Sequence, residues 1–448
     1  MQYEPLCDRR TPGLWRSRKI NFSSCLGIYG FSILILCFGF WQCLLFADEQ
    51  SKSAQADNQE IQTSVPAMKK ILVLSSHGGY GHTAAANTLI ALLGKQYQFS
   101  IYHPIDQVHV MGIPLRENFY NASLKHGWIR TMNFIARHIA PGLFNASRKQ
   151  IEEMIDGWIE KEKPDLVISI IPFVNYPATE AARKRNIPYL LITTDNDLRN
   201  WSFRLEKLRH PNFKITIGAD LPLTRGLLLK KKISNSVIET IGLPLRLDFT
   251  VRKNEEKLRE EYNIPQDKAV VLIIMGGAGS KTALDYASKI AQMDLSLHMI
   301  VCAGRNESLK KKLEKIDLHP SNSMTVMSFT EKIADLMTMS DLIITKPGPG
   351  TINEAIAMQL PVLVDNTSTS LYWERVNSDM VIYYGIGDRI KKYKDIQEKL
   401  VKYLKDDKVK ASIDEAFAAI PPNQFHEKIG SIINEMASKP DKIAAVHD

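Results

Sequence analysis

From Met68 onward, short apolar runs rich in β-branched residues alternate with stretches whose apolar positions recur at helical spacing. This alternation predicts parallel strands covered by helices on both faces. The first set of runs is ILVLS (71–75), FSIYH (99–103), DLVISII (165–171) and YLLITT (189–194), closing near KITIG (214–218) and VIETIG (237–242). The second set is AVVLIIM (269–275), LHMIVCAG (297–304), MTVMSF (324–329), DLIIT (341–345) and PVLVD (361–365). Between them GLPLRLDFTVRKNEEK (242–257) contains proline, is highly charged and reads as an interdomain linker. The expected fold class is therefore α/β, with two doubly wound, Rossmann-like domains over residues 68–245 and 246–425 and a C-terminal helix and tail over 426–448. Such domains place ligands at the C-terminal ends of their strands, here in a cleft between the two.

A different pattern precedes Met68. CLGIYGFSILILCFGFWQCLLFA, residues 25–47, is an uninterrupted apolar run without charge, long enough to cross a bilayer. Arg9, Arg10, Arg16, Arg18 and Lys19 precede it and an acidic, polar stretch follows, so the positive-inside rule puts the N-terminus in the cytoplasm and the remainder outside. A long signal peptide ending at Ala47 fits the same features, and a buried soluble helix is the bland alternative. Residues 48–67 have few large apolar side chains and read as a disordered linker.

Composition narrows the partners. The chain has 448 residues, 44% of them hydrophobic, which suits two domains, and a net charge of +8 that would suit an anionic lipid or a phosphorylated ligand. No helix-turn-helix, zinc-finger or RNA-binding signature accompanies the charge, so no nucleic acid partner is expected. Four of the five cysteines, Cys7, Cys25, Cys37 and Cys43, precede residue 44 and Cys302 stands alone, which is neither a disulfide framework nor a metal spacing.

Three glycine-rich turns sit where a strand hands over to a helix: SSHGGYGH (75–82), MGGAGSKTA (275–283) and TKPGPGTINEA (345–355). Glycine there lets backbone approach a ligand, and a helix N-terminus presents unpaired amides to an anion. Two such turns in the second domain suggest a diphosphate site, although neither is a Walker loop or a complete GxGxxG fingerprint, and each taken alone is more often a plain strand-to-helix turn. Glu354, about one helical turn after Gly350, is placed to accept hydrogen bonds from ribose hydroxyls; otherwise it is a solvated helix glutamate.

GGYGH, the TD at 194–195, GLPLRLDF (242–249) and SDLIITKPGPGTINEAIAMQLPVLV (340–364) together resemble the monogalactosyldiacylglycerol synthase and processive diacylglycerol glucosyltransferase family. That family is related to the peptidoglycan N-acetylglucosaminyltransferase within glycosyltransferase family 28. The resemblance spans about residues 69–385. It implies a GT-B fold, a UDP-sugar bound by the C-terminal domain, a lipid acceptor at the N-terminal domain, inversion at the anomeric carbon, and no cofactor or metal. Carried over by residue, it makes His82 the base and places Gly78, Gly79 and Gly81 with Asp195 and Trp201 on the acceptor side. Gly276, Gly277, Gly279, Lys346, Gly348, Gly350 and Thr351 fall on the phosphate side, Glu354 at the ribose, and Glu374 and Asn377 beside the donor sugar.

The chain departs from the family twice. Trp373 stands where a glutamine is expected beside the donor sugar, and TTDNDLRNW (193–201) lacks the histidine usual between the aspartate and the tryptophan. These departures leave the sugar open and keep two alternatives in view: a GT-B sugar-nucleotide epimerase, and a non-catalytic UDP-sugar or lipid-binding relative. The leading expectation is a membrane-associated hexosyltransferase acting on a lipid such as diacylglycerol. Residues 109–144 interleave Phe119, Trp128, Phe134 and Phe144 with Arg116, Lys125, Arg130 and Arg137, a mixture suited to docking on an anionic membrane or, equally, to amphipathic core helices with a basic face. LLLKKKI (227–233) reads as a solvated face. UDP-sugars are cytoplasmic, whereas the charges flanking residues 25–47 put the catalytic domain outside; the site residues carry more weight than that topology rule, which counts only flanking charges.

Overall fold

Two six-stranded sheets, parallel throughout, form the centres of two lobes. The computed structural model describes residues 68–77, 80–110, 113–114 and 128–438. The charge-free run at 25–47, expected to form a hydrophobic helix, and the linker after it lie outside the described residues. No helix among the described residues is long and apolar enough to cross a membrane.

In chain order the first lobe contributes β1 (Lys69–Leu74), β2 (Tyr97–Tyr102), a small hairpin of β3 (His109–Val110) and β4 (Ile113–Pro114), β5 (Leu166–Ser169), β6 (Tyr189–Ile192), β7 (Phe213–Ile217) and β8 (Ile238–Thr240). The second contributes β9 (Ala269–Ile274), β10 (Leu297–Gly304), β11 (Ser323–Ser328), β12 (Leu342–Thr345), β13 (Val362–Asp365) and β14 (Gly387–Ile390). The sheet orders are β2-β1-β5-β6-β7-β8 and β11-β10-β9-β12-β13-β14, so each lobe reverses direction next to its first strand. Every residue of β5, β6, β10, β12 and β13 is buried. A strand covered by helices on both faces has no solvent face to mark with polar residues, which is why these segments read as continuous apolar runs.

The edges behave differently. β11 is half-exposed along its length, and β14, sequence GDRI, has a single apolar residue and gives no strand signal. It forms because Gly387 pairs with Val362, and a Cβ on Gly387 would lie 1.9 Å from the Val362 carbonyl oxygen. Only glycine admits that approach.

Short polar residues start two of the helices of the second lobe. Ser280 accepts from the Thr282 amide at the head of Lys281–Ala291, and Asn254 accepts from the Lys257 amide at the head of Glu255–Glu261. That second helix begins inside the expected linker, which is extended only up to residue 254 apart from one 3-10 turn at Leu247–Thr250.

The last described helix, Phe425–Ser438, returns to the first lobe. Phe425, Ile429, Ile432, Ile433 and Met436 pack with Ile71, Val73, Leu89, Leu190 and Ile192 in one buried cluster. At about 1.5–3 kcal/mol for each fully buried aliphatic or aromatic side chain, this helix is a substantial part of the first lobe's core. The two chain crossings between lobes run side by side. The Asn423 side chain donates to the Leu243 carbonyl at 2.8 Å and His426 to the Leu245 carbonyl at 2.6 Å. Gly242, at φ +94°, would bring a Cβ within 2.3 Å of Asn423, so the close crossing requires glycine.

Candidate functional site

Where β1 ends, Ser75, Ser76 and His77 lead toward helix Tyr80–Leu93; Gly78 and Gly79 lie outside the described residues. Gly81 is exposed, with open space where a Cβ would stand. His82 occupies the first turn of the helix, its Nδ1 3.2 Å from Thr194 Oγ1 and its ring 5.8 Å from that of Trp201. Burial lowers the imidazole to about 4, partly opposed by a hydrogen bond to the Ile170 carbonyl, so the ring is neutral at physiological pH.

Asp195 follows β6. Trp201 Nε1 donates to its Oδ2 at 2.8 Å. Burial pushes the carboxyl up to about 7; the Trp201 bond opposes this, while the charges of Glu374 and Asp197 add to it. Trp201, expected on the acceptor side, is 1% exposed and meets the site through its bond to Asp195. A stacked pair, His77 and His103 with ring centroids 3.7 Å apart, stands at the neighbouring ends of β1 and β2; His77 falls within SSHGGYGH, whose reading assigns it no role.

In the second lobe the two glycine turns differ. Gly276 and Gly279 have positive φ, but Gly279 is dictated by packing: a Cβ there would lie 2.0 Å from the Ala303 carbonyl oxygen. The Gly277 carbonyl accepts from the Arg305 amide at 3.0 Å, tying this turn to the end of β10. The other turn is more open. Gly348 caps helix Pro349–Ala357, Gly350 faces empty space, and Thr351 is half-buried in the first turn. The amides of Gly350 and Thr351 have no intrahelical acceptor by position, and Pro349 has no N–H to offer, so this end is suited to an anion. Lys346 Nζ donates to Glu374 Oε1 at 3.0 Å beside the turn, and Gly276 lies against the Lys346 side chain.

Glu354 is mostly buried and already engaged: Arg246 Nε and Nη2 both donate to its Oε1, at 3.2 and 2.9 Å. Burial raises this carboxyl, with the Arg246 charge and hydrogen bonds opposing. It is thus neither a solvated glutamate nor an unpartnered one. Asn377, expected beside the donor sugar, is fully buried; its Nδ2 donates to the Pro347 carbonyl and its Oδ1 accepts from Asn196 Nδ2, both at 3.0 Å. Both ends of its amide serve to hold the 346–348 turn and to bond the first lobe.

That Asn196–Asn377 bond joins the residue after Asp195 to the helix that begins at Arg375. A second crossing centres on Tyr372. Its ring lies between Arg137 and Arg199, each 4.7 Å from the centroid, and its hydroxyl donates to Asn200 Oδ1. Its amide donates to Asn133 Oδ1 at 2.8 Å and its carbonyl accepts from Arg199 at 3.2 Å. Trp373 meets Tyr372 edge to face. Asn133, Asn196, Arg199, Asn200, Arg246 and Tyr372 were not singled out from sequence. Asn196, Arg199 and Asn200 lie within TTDNDLRNW and Arg246 within GLPLRLDF, so the motifs marked them without assigning a role; Asn133 lies unremarked within the 109–144 segment, and Tyr372 carried no signal.

Of the 109–144 segment, residues up to 127 have no described side chains, Phe119, Arg116 and Lys125 among them. From there Ile129–Phe134, a π-helical turn Ile135–Ile139 and Ala140–Ala146 run on as one helical stretch. Phe144 is core, stacked on Phe173 at 4.9 Å. Trp128, Phe134 and Ile139 are exposed, with Arg130 exposed among them. The LLLKKKI stretch carries helix Arg225–Lys230 with Leu228 buried, while Lys231 pairs with Glu206.

Residues 270–369 match the glycosyltransferase family 28 C-terminal domain. The processive diacylglycerol beta-glucosyltransferase of Bacillus cytotoxicus is 25% identical over 382 residues, covering 78% of this chain and 89% of its own length. Its counterpart in Bacillus cereus is 24% identical over 336 residues, covering 70% and 82%. Among solved structures, MurG of Acinetobacter baumannii superposes with a TM-score of 0.56 at 15% identity, over 82% of this chain and 99% of its own. S. aureus MnaA, in a co-structure with UDP, gives 0.54 at 14% identity over 84% and 100%. At these identities the solved structures show a shared fold, the expected GT-B pairing of two Rossmann-like lobes.

Proposed function

We propose that this glycosyltransferase, whose residues 270–369 are a family 28 C-terminal domain, moves a hexose from a UDP-sugar to the hydroxyl of a diacylglycerol-like lipid, with inversion. The observation that carries the reading is the meeting of two unlike corners. Asp195 is close enough to Glu374 for their charges to repel, and Asn196 bonds Asn377 directly. A neutral imidazole and a carboxyl raised to about 7 in one lobe thereby face a lysine and an open helix N-terminus in the other.

In this reading the diphosphate lies against Lys346 and the Gly350 and Thr351 amides. The acceptor oxygen bonds to the anomeric carbon from the face opposite UDP, the carbon–oxygen bond to the diphosphate breaks, and UDP leaves with the electron pair. His82 takes the proton of the acceptor hydroxyl. The fixed positive groups of the second lobe offset the charge that develops on the diphosphate, and the reaction proceeds without a metal ion; a chelator is expected to leave turnover unchanged. Trp128, Phe134 and Ile139 with Arg130 form the surface that meets an anionic membrane.

Turnover of labelled UDP-glucose, UDP-galactose and UDP-N-acetylglucosamine by the full chain, with vesicles containing diacylglycerol, tests the reading. A labelled glycolipid that disappears in His82→Ala, with UDP binding retained, supports it. UDP binding without product from any donor would make the chain a non-catalytic relative, and release of free sugar without lipid would favour the epimerase-like alternative.

A further inference from the structure

Arg246 lies on the stretch of chain that leaves the first lobe for the second, and Leu245 just before it is tied to the first lobe. The Leu245 carbonyl accepts from Thr88 Oγ1 at 3.3 Å, on the same helix that carries His82, and from His426 at 2.6 Å. The next residue then reaches across. Beyond its two bonds to Glu354 Oε1, Arg246 donates through Nη1 to the Glu331 carbonyl at 3.0 Å, and its guanidinium lies 4.8 Å over the Phe249 ring. Two consecutive residues, Leu245 through its carbonyl and Arg246 through its side chain, therefore join the His82 helix, the lobe crossing and the Glu354 carboxylate on the anion-facing helix.

The geometry on Glu354 separates support from obstruction. Both Arg246 bonds end on Oε1, and Oε2 has no hydrogen-bond partner among the described residues. A bidentate fork-to-fork pair would occupy both oxygens. Here the carboxylate keeps one oxygen for a ligand while its charge is balanced from the side.

We propose that Arg246 is a positioning residue for the nucleotide: it holds Glu354 turned toward the ribose hydroxyls and does so from the lobe crossing, so that nucleotide affinity depends on how the two lobes are seated. The proposal rests on the donor-site reading given above. Without Arg246, a mostly buried carboxyl has no compensating charge and takes up a proton, and a protonated carboxyl loses acceptor capacity.

Titration of UDP into the full chain by calorimetry between pH 6 and 9 tests this. Arg246→Met is expected to weaken UDP binding about tenfold near pH 7, with the deficit widening as pH falls and narrowing as it rises. Arg246→Lys keeps the charge and restores most of the affinity. Glu354→Gln is weak at every pH with no slope of its own, and Arg246→Met in the Glu354→Gln background costs nothing more. If Glu354→Gln is weak but Arg246→Met binds UDP like the wild type, or loses a pH-independent amount that adds to the Glu354→Gln loss, the positioning role is overturned and the donor site stands. If Glu354→Gln binds like the wild type, the donor-site reading itself fails. Thermal unfolding of each variant separates a local loss from a collapsed lobe crossing, and the lysine variant, which preserves the ion pair, decides the case if the methionine variant does not fold.

Discussion

At Asp195 and His82 the protein places two titrating groups against one indole, and burial drives them in opposite directions from their ordinary values. The imidazole, held to about 4, stays neutral across the working range, so the acid limb of the rate belongs to the carboxyl at about 7. An ionised Asp195 stabilises the imidazolium that forms as His82 accepts a proton. The ratio kcat/KM is therefore expected to rise through about pH 7; Asp195→Asn removes that limb, whereas His82→Ala lowers the rate throughout. Stability moves oppositely. A carboxyl raised in the folded state contributes stability at low pH that is lost as pH rises through 7, so Asp195→Asn should melt higher than the wild type at pH 8 and not at pH 5. The glycines divide similarly. Gly279→Ala forces a Cβ into the Ala303 carbonyl at positive φ and should cost several kcal/mol, about what backbone strain and overpacking impose together. Gly350→Ala meets nothing, so it should fold normally and lose only UDP binding, as a nucleotide titration beside a melting curve would show. From sequence both glycines had looked alike, because a motif records that a side chain is excluded and not whether protein or ligand excludes it. The same limit applies to Trp201 and Asn377, whose identity was legible in the motifs but whose burial was not.

Between elements, the loop at Tyr372 and the stretch at 128–146 make one unit. Tyr372→Ala removes the ring held by Arg137 and Arg199, the hydroxyl bond to Asn200 and the edge contact to Trp373. It should raise the KM for donor more than it lowers kcat, with roughly 3 kcal/mol of lost stability if the ring is truncated in place. Steady-state kinetics with denaturant unfolding measure both. A donor KM unchanged in this variant would assign the clamp to stability alone. The strands themselves were legible wherever both faces are covered, as in β10, whose bounds match the apolar run at 297–304. β14 was not, because its place depends on Gly387 fitting under Val362. The helix Phe425–Ser438 was expected only as a C-terminal helix and tail at 426–448, which says nothing of what it covers. Its partner is the first sheet, with Ile71 and Val73 more than three hundred and fifty residues away along the chain. Interlobe contacts such as Asn133 with Ser370 are invisible for the same reason: each partner is an ordinary polar residue until the lobes meet.

Across the whole molecule, His82, His210 and His298 are each held near 4 by burial. They sit in three different places: the helix turn against Thr194, the turn before β7, and β10 against Ser323 and Thr325. Each is lowered in the folded state, so it contributes stability above its unfolded value of about 6.5 that is lost as pH falls toward 4. Acid unfolding is therefore expected within that window in both lobes together, and His298→Gln should move its midpoint to lower pH, as tryptophan fluorescence against pH would report. The returning helix bears on how the protein is made. During synthesis the first sheet emerges with one face bare, and Phe425, Ile429 and Ile433 reach it only after the entire second lobe has left the ribosome. At ordinary elongation rates that interval is about ten to forty seconds. For that time Ile71, Leu190 and Ile192 present an apolar surface to chaperones and proteases, and a ribosome that stalls late in the second lobe releases a product marked for removal by its own uncovered sheet.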